Sequence, residues 1–376
     1  MKLKDIGTIV TGNTPSKRNN EYYESDDILF VKPSDIEENY ITNIESSEEY
    51  ISEKAREKAR ILPEGAVLVT CIGTIGKVGI LSQEATCNQQ INAIIPNDKV
   101  ISKYLAYLIQ SKQKILKLKA NAPVVPIINK TDFSEIEINI CDVNKQKEIV
   151  DQLDLLKTII DKRKIQIEEL QNIIKSQFVE MFENKNIEKK TLQDITIKIT
   201  DGSHNPPNGI DENVGYMMLS SQNIVNDKIN YENARYLTKE DFEKENARTD
   251  LKNGDVLLTI VGTVGRTAII SNEENITLQR SVAVLKPIEE IKSEYLVGAL
   301  KSDDVVRQLN KGAKGVAQKG IYLNDLKKLT ISVPPIELQN KFADFVKQID
   351  KQKFEIENSL KEMQELYESL MEKYFG

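Results

Sequence analysis

The chain repeats itself over a long period. The stretch GAVLVTCIGTIGKVGILS at 65–82 returns 189 positions later as GDVLLTIVGTVGRTAIIS at 254–271. Gln146 and Gln339 occupy equivalent places, where each half enters a long helical pattern. A period near 190 is far longer than the roughly 20–50 residues of a solenoid repeat, so the sequence predicts one domain and its helix, duplicated. Further matching stretches lie at 103–111 and 294–302, and at 132–140 and 325–333.

A heptad pattern closes each half. Steps of four and three residues, from Ile149 to Met181 and from Phe342 to Tyr374, fall almost entirely on apolar residues, and no glycine or proline interrupts either run. This spacing is typical of coiled-coil helices, and we predict that the two helices pair antiparallel. The alternative is two unrelated surface helices, each packed on its own domain. The predicted seam comprises Ile149, Leu153, Leu156, Ile160, Ile167, Leu170, Ile174, Phe342, Val346, Ile349, Ile356, Leu360, Met363 and Leu370.

The rest of each half has the pattern of a domain that mixes helices and strands. Runs such as AVLVTCI and DVLLTIV end in glycine-containing turns, which indicates hairpins. A single helix is expected at about 101–119 and again at about 292–310, whereas 11–62 and 200–252 are predicted to be long, irregular and polar. The expected fold class is therefore α+β: two tandem mixed α/β domains separated by two long helices that pair as an antiparallel coiled coil, with an internal pseudo-two-fold repeat. Long irregular stretches in a compact domain often form functional surfaces.

The composition excludes several kinds of site. His204 is the one histidine, which rules out a two-histidine metal site, and the three cysteines, Cys71, Cys87 and Cys141, do not have metal-ligand spacing. We expect reduced thiols, no bound metal and a cytoplasmic location, because the chain also shows no signal-peptide core and no apolar run of about 20 residues. The net charge of −7 gives nucleic-acid binding no general support but leaves room for a local basic face.

Two motifs resemble catalytic loops without meeting their requirements. GTIGK at 73–77 and GTVGR at 262–266 contain only two residues between their glycines, whereas a Walker loop needs four residues and then Gly-Lys-Ser/Thr. We interpret both as hairpin turns that present Lys77 and Arg266. HNPPN at 204–208 lacks the aromatic residue that follows Asn-Pro-Pro in amino-methyltransferases. The sequence therefore predicts no catalytic residues. An enzyme that uses a nucleotide or a methyl donor remains an alternative hypothesis.

Positive charge is concentrated at the same place in both halves. The stretch 101–120 carries five lysines and 311–320 carries three, and neither contains an acidic residue. These could be ordinary helix and loop surfaces. Their equivalent positions favour two phosphate-facing surfaces.

Across its whole length the chain resembles the specificity subunit of Type I restriction–modification systems. The matching marks occur in order: KDIGTIVTGNTPSK near the start, VLVTCIGTIGKVGI with CNQQINAI, DGSHNPP at the opening of the second domain, LLTIVGTVGRTAII, and VPPIELQNKFADFVKQID before the last helix. In the first helix entry, Cys141 and Asp142 stand where the second has a proline pair. The order of these motifs is more specific than any one of them.

The resemblance implies a non-catalytic subunit that recognises a split sequence in double-stranded DNA, one part per target-recognition domain. It implies recruitment of two adenine methyltransferase subunits and of restriction subunits, with no membrane association. No cofactor is expected in this chain, while S-adenosylmethionine, ATP and Mg²⁺ are expected in the partners. The implied division is 1–143 for the first target-recognition domain, 144–184 for the central helix, 185–334 for the second domain and 335–376 for the C-terminal helix. The competing hypothesis is a coiled-coil protein-interaction scaffold without DNA binding.

We expect the DNA contacts to come from polar residues of the irregular stretches and the hairpin tips. Arg, Lys, Gln and Asn side chains pair with base edges or hold phosphate. The candidates are Asn13, Thr14, Ser16, Lys17, Arg18, Lys32, Ser34, Lys77, Gln89 and Gln90 in the first half, and Ser203, His204, Asn205, Ser220, Gln222, Arg266, Gln279, Arg280 and Lys314 in the second.

Overall fold

A computed structural model of the 376-residue chain describes residues 1–120, 125–183, 186–271, 274–312 and 320–376. By its contacts the chain divides into two compact units. Unit 1 comprises Met1–Arg163 and Ser359–Gly376, and unit 2 comprises Lys164–Asn358. Each unit thus joins a sheet-bearing domain to portions of both long helices.

Unit 1 is built on two sheets. The larger has strand order β1-β8-β5-β6-β3 and the smaller has order β4-β2-β7. In the larger sheet β5 pairs antiparallel with β6, Val69 opposite Val78, which confirms the predicted hairpin. The strands are β1 (Gly7–Thr11), β2 (Ile28–Val31), β3 (Ile41–Ile44), β4 (Tyr50–Ile51), β5 (Val67–Thr70), β6 (Val78–Leu81), β7 (Ala85–Cys87) and β8 (Ile91–Pro96), and the helices are α1 (Ser102–Ser111), α2 (Gln113–Lys119), α3 (Lys130–Ser134) and the first part of α4 (Val143–Phe182).

Unit 2 repeats this plan. Its main sheet has order β10-β18-β15-β16, and a three-stranded sheet, β14-β11-β17, corresponds to β4-β2-β7. Two small pairs, β12 with β13 and β19 with β9, complete it. The strands are β9 (Lys189–Thr191), β10 (Thr196–Asp201), β11 (Met217–Leu219), β12 (Ile224–Val225), β13 (Lys228–Ile229), β14 (Arg235–Tyr236), β15 (Val256–Thr259), β16 (Thr267–Ile269), β17 (Ile276–Leu278), β18 (Val282–Pro287) and β19 (Thr330–Ser332), and the helices are the last part of α4, α5 (Lys239–Thr249), α6 (Ser293–Lys301), α7 (Asp303–Gly312), α8 (Leu323–Leu326) and the first part of α9 (Ile336–Phe375).

Two expectations about local structure are wrong. The single helix expected after each sheet is broken, at Lys112 in unit 1 and at Ser302 in unit 2, where the backbone is extended with ψ of 149°. The Ser302 hydroxyl accepts a hydrogen bond from Val305 N at 3.4 Å, which helps to start the next helix. The stretches 11–62 and 200–252 are also less irregular than expected, because they hold seven short strands and the helix α5.

The two long helices are each 40 residues long. In unit 1 the start of α4 meets the end of α9: Ile149 and Leu153 share a buried cluster with Phe375, and the Tyr374 hydroxyl donates to Gln152 Oε1 at 2.8 Å. These contacts pair opposite ends of the two helices, which is antiparallel packing.

In unit 2 the other two ends meet. Phe178, near the end of α4, packs edge-on against Phe342 of α9 with ring centroids 5.5 Å apart. Phe178 also stacks on Tyr295 of α6 at 5.7 Å, so the helix pair and the domain share one core. The predicted antiparallel pair is confirmed, and every residue of the predicted seam is buried or half-buried.

Each long helix is tied to its domain by an equivalent glutamine. The Gln146 side chain, fully buried, accepts from Ile101 N at 2.9 Å and donates to Lys99 O at 2.8 Å. Gln339 accepts from Lys292 N at 2.9 Å and donates to Glu290 O at 3.1 Å. Each amide also donates to a carbonyl five residues earlier, Cys141 O and Pro334 O respectively, at 2.9 Å.

Candidate nucleic-acid interface

In unit 1 the loop after β1 is held against the end of β7. Gly12 N donates to Ile91 O at 3.0 Å, and Asn13 N donates to Cys87 O at 2.9 Å. A Cβ atom on Gly12 would lie 2.2 Å from Asn88 O, so a larger residue cannot approach this closely. The glycine therefore allows the polar loop to lie directly on the sheet edge.

Two more segments join the same edge. Asn88 N donates to Val31 O at 3.0 Å, which brings the turn after β7 beside the end of β2. Lys77, at the hairpin tip, donates through Nζ to Pro33 O at 3.1 Å. Four segments thus converge: the loop after β1, the turn after β2, the turn after β7 and the hairpin tip. We call this convergence the junction of unit 1.

The polar side chains at this edge fall into two kinds. Both ends of the Asn13 amide are engaged, since Nδ2 donates to Lys58 O at 2.7 Å and Oδ1 accepts from Arg60 N at 2.8 Å. Asn13 therefore holds the loop in place. Thr14 and Gln89 are exposed, and the Thr14 hydroxyl donates to Gln89 Oε1 at 2.7 Å, which leaves the Gln89 amide nitrogen to donate to a ligand.

The cations at this edge are partly neutralised. Glu49 forms ion pairs with Lys32 and, at 3.8 Å, with Lys17. The hydrogen bond from Lys32 holds the pKa of the Glu49 carboxyl below its usual value, with a smaller contribution from Lys17. Ser34 donates to Glu48 at 3.2 Å. Lys32 and Lys17 can therefore hold phosphate only in competition with Glu49.

Unit 2 has the same junction. Ser203 N donates to Leu278 O at 2.8 Å, and Gln279 N donates to Leu219 O at 2.8 Å, as Asn13 N and Asn88 N do in unit 1. A Cβ atom on Gly202 would lie 2.0 Å from Leu278 O, which repeats the close approach at Gly12. The duplication therefore extends to the backbone hydrogen bonds of the site.

The hairpin tip of unit 2 also contacts the segment after the β2 equivalent. Arg266 is exposed and donates through one guanidinium nitrogen to Ile224 O at 3.4 Å. Ser221 N donates to Ser281 Oγ at 3.0 Å, which links the turns after β11 and β17. Ser220 caps the first of these turns, accepting from Gln222 N at 3.3 Å.

His204 contacts Asp201, which Arg248 holds in turn, and neither residue was a candidate from the sequence. Its Nε2 lies 2.8 Å from an oxygen of Asp201, whose side chain is 7% exposed, and the Arg248 guanidinium forms an ion pair with the other oxygen of that carboxylate. Arg248 Nε also donates to Asp201 O at 2.9 Å. Asp201 is the first residue of the DGSHNPP motif and so could have been found, whereas Arg248 comes from α5, a helix that the sequence did not reveal.

The remaining candidates are less constrained. Gln90 is half-buried, and its Oε1 accepts from Asn88 Nδ2 at 2.8 Å. Lys314 lies outside the described residues. Six candidates are exposed on the loops around the junctions: Ser16, Lys17, Arg18, Asn205, Gln222 and Arg280.

A buried thiol lies beneath the first junction. Burial raises the pKa of the Cys87 thiol, beneath the first junction, to about 12, so this thiol stays protonated at neutral pH. Within the described ranges, no group of three or more His, Cys, Asp or Glu residues is placed to hold a metal ion. Among the helices in those ranges, none combines the length and apolarity that a membrane crossing requires.

Both halves of the duplicated sequence match a known domain. The model of the Type I restriction modification DNA specificity domain matches residues 1–172 and again 184–366. The chain belongs to this family. It is a specificity subunit, a DNA-recognition component and not a catalyst, which confirms the expected family and class of function.

Several specificity subunits are similar in sequence to this chain. The Type I restriction enzyme MjaIX specificity subunit of Methanocaldococcus jannaschii is 27% identical over 92% of this chain and 85% of its own length. The MjaVIII specificity subunit of the same organism is 26% identical over 83% of this chain and 80% of its own. The HindI specificity subunit of Haemophilus influenzae is 34% identical over a shorter region, 39% of this chain and 32% of its own length.

Two solved structures have the same fold. The S subunit of the Type I restriction–modification system from M. genitalium aligns with a TM-score of 0.58 and 13% identity, over 100% of this chain and 95% of its own. A chain from a study of complex assembly and conformational transition in the type I R-M system aligns with a TM-score of 0.60 and 16% identity, over 100% and 96%. At these identities the likeness confirms the α+β repeat fold.

Proposed function

We propose that this specificity subunit recognises a split sequence in double-stranded DNA and that each domain contacts one part of it through its four-segment junction. The observation that carries the proposal is the repetition of the junction. In both units a glycine in close contact with the sheet edge, two matching backbone hydrogen bonds and a basic hairpin tip bring polar side chains together. Two similar surfaces on one chain suit two separate stretches of one duplex.

The chemistry at the junctions fits DNA. Gln89 and Gln279 carry amides, which can donate and accept at base edges in the major groove. Arg266 and Arg280 are exposed cations that can contact phosphate. The nineteen candidate residues named from the sequence remain proposals as DNA contacts, and among them Asn13 acts through the loop that it holds.

The partners follow from the same family. We propose that the subunit recruits two methyltransferase subunits, one for each half of the duplication, and that restriction subunits join the larger complex. S-adenosylmethionine, ATP and Mg²⁺ would then act in those partners, in the cytoplasm. The division into 1–143, 144–184, 185–334 and 335–376 is proposed as the functional one.

An exchange of domains tests this function. Residues 1–143 are replaced by the same region of a relative with a different target, the hybrid is expressed with its methyltransferase partner, and methylated adenines are mapped across the host genome. We expect one part of the split sequence to change while the other part and the gap stay the same, since each junction lies within one unit.

The reciprocal exchange of 185–334 is the matched control and should change only the other part. A hybrid that alters both parts would show joint recognition by the two domains and would contradict the proposal. A folded chain that binds its protein partners but directs no methylation and binds no duplex would instead favour the protein-interaction scaffold.

A further inference from the structure

Unit 2 contains a cavity of about 420 Å³. It lies between the hairpin tip at Gly265 and Arg266, the β12–β13 turn, the end of α6 and the two long helices. This volume is within the range of small-ligand sites. The cations that line it are Lys175, Lys228, Arg266, Lys301 and Lys353.

Unlike the other lysines of the lining, Lys353 is buried. It is the one charged residue of the α9 seam and is only 4% exposed. Within the described part of the chain its ammonium has no hydrogen bond and no carboxylate within 4.0 Å, although it lines the cavity. A buried charge without a hydrogen bond or ion-pair contact is costly, so an apolar residue would be more stable at this seam position.

The other lysines around the cavity already have anionic partners. Lys228 pairs with Glu357 at 2.6 Å, Lys175 pairs with Asp303 at 3.1 Å, and Lys301 pairs with Asp227. These three lysines are therefore already neutralised by carboxylates.

The positive charge that remains comes from Lys353 in the interior and from Arg266, whose contact in unit 2 is with a neutral carbonyl. Asp350 also lines the cavity and attracts Lys353, but it forms no ion-pair contact with that residue within 4.0 Å, and one carboxylate cannot balance two cations. One oxyanion placed between Lys353 and Arg266 would supply the direct anionic contact that both cations lack.

We propose that this cavity is a binding site for a phosphate-type oxyanion, with Lys353 as its interior cation and Arg266 at its rim. Ammonium and guanidinium groups donate charge-assisted hydrogen bonds to phosphate oxygens. The apolar wall formed by Ile174 and Phe178 would strengthen these bonds by excluding water. The phosphate could be free in solution, alone or as part of a small molecule, or it could belong to a DNA backbone that passes the hairpin tip.

Titration of the full-length chain with inorganic phosphate, by calorimetry at constant ionic strength and without DNA, tests the free source. The parent is expected to bind phosphate saturably at one site. Lys353→Met should weaken that binding by about tenfold or more, since it removes one charge-assisted hydrogen bond. Arg266→Gln should weaken it less, and Lys351→Met, an exposed neighbour on α9, should leave it unchanged.

A second arm tests the backbone source. Binding of a duplex with the methylated sequence is measured against chloride concentration. If Lys353 holds one backbone phosphate, Lys353→Met should reduce the slope of log K on log salt by roughly one unit. Methionine has a similar length and breaks no hydrogen bond or ion-pair contact, so the variant should unfold at the same or a higher urea concentration.

Saturable phosphate binding that depends on Lys353 supports a site for a free oxyanion, and a changed salt slope alone supports a backbone phosphate. If Lys353→Met and Lys351→Met behave alike in both arms, the proposed site does not exist. The first arm contains no DNA, so its result is independent of the proposed DNA recognition.

Discussion

At the scale of single residues, we predict a role for the two hairpin tips in DNA binding. Lys77 is half-buried and Arg266 exposed, and each donates to a backbone carbonyl of the neighbouring turn. A guanidinium has five N–H donors, so Arg266 keeps most of its capacity for a ligand. We expect both side chains to contact phosphate and neither to choose a base.

The double variant Lys77→Ala with Arg266→Ala should therefore bind its duplex more weakly, with the same sequence preference. The slope of log K against log salt should fall by roughly one unit for each phosphate that the variant no longer holds. Lys361→Ala, whose side chain is 76% exposed on α9, is the control and should keep the parental slope. An unchanged slope in the double variant would mean that the tips only support the turns.

The candidate residues show how much of the site can be predicted from local sequence. The matching glycines, the basic tips and His204 could be found because they stand in short motifs. The roles of Asn13 and Arg248 could not, since each depends on a partner about 45 residues away in the chain. Whether a polar side chain holds a loop or remains available to a ligand depends on such contacts, which leave no local pattern.

At the scale of elements, the buried glutamines at the helix entries should matter more than any exposed helix residue. Gln339 joins α9 to the segment before α6 through three hydrogen bonds with backbone groups. Gln339→Ala would leave the Lys292 N–H and two carbonyls without that partner. We expect a loss of roughly 2–4 kcal/mol in the free energy of unfolding, measured in urea.

Gln146→Ala should cost a similar amount, because Gln146 makes the equivalent bonds. Gln348→Ala, on an exposed position of α9, should change stability by less than about 0.5 kcal/mol. A Gln339→Ala variant as stable as Gln348→Ala would show that water replaces these hydrogen bonds without loss.

Elements with a strong period were predictable and those without one were not. The long helices follow from a heptad sustained over their whole length. Helix α5 escaped notice because only Phe242 and Thr249 of its eleven residues are buried, so it has no apolar stripe. The breaks at Lys112 and Ser302 were missed because the apolar pattern continues through both positions, whereas the helical conformation of the backbone does not.

At the scale of the whole molecule, the duplication explains why one chain carries two similar junctions and two 40-residue helices. At 1.5 Å per residue, each helix is roughly 60 Å long. Because α4 connects the first domain to the second along the chain, we expect the length of the helix pair to set the gap between the two parts of the DNA target.

Lengthening both helices tests directly whether the helix pair sets the gap. Seven residues are inserted after Gln166 and seven after Ser359, which preserves the heptad phase and lengthens each helix by about 10 Å, close to three base pairs of B-DNA. Adenine methylation directed by the variant and its partner subunits is then mapped by sequencing. We expect both half-sites to stay the same while the gap between them grows by about two to four base pairs. A folded variant that recruits its methyltransferase, methylates DNA and keeps the original gap would contradict this expectation.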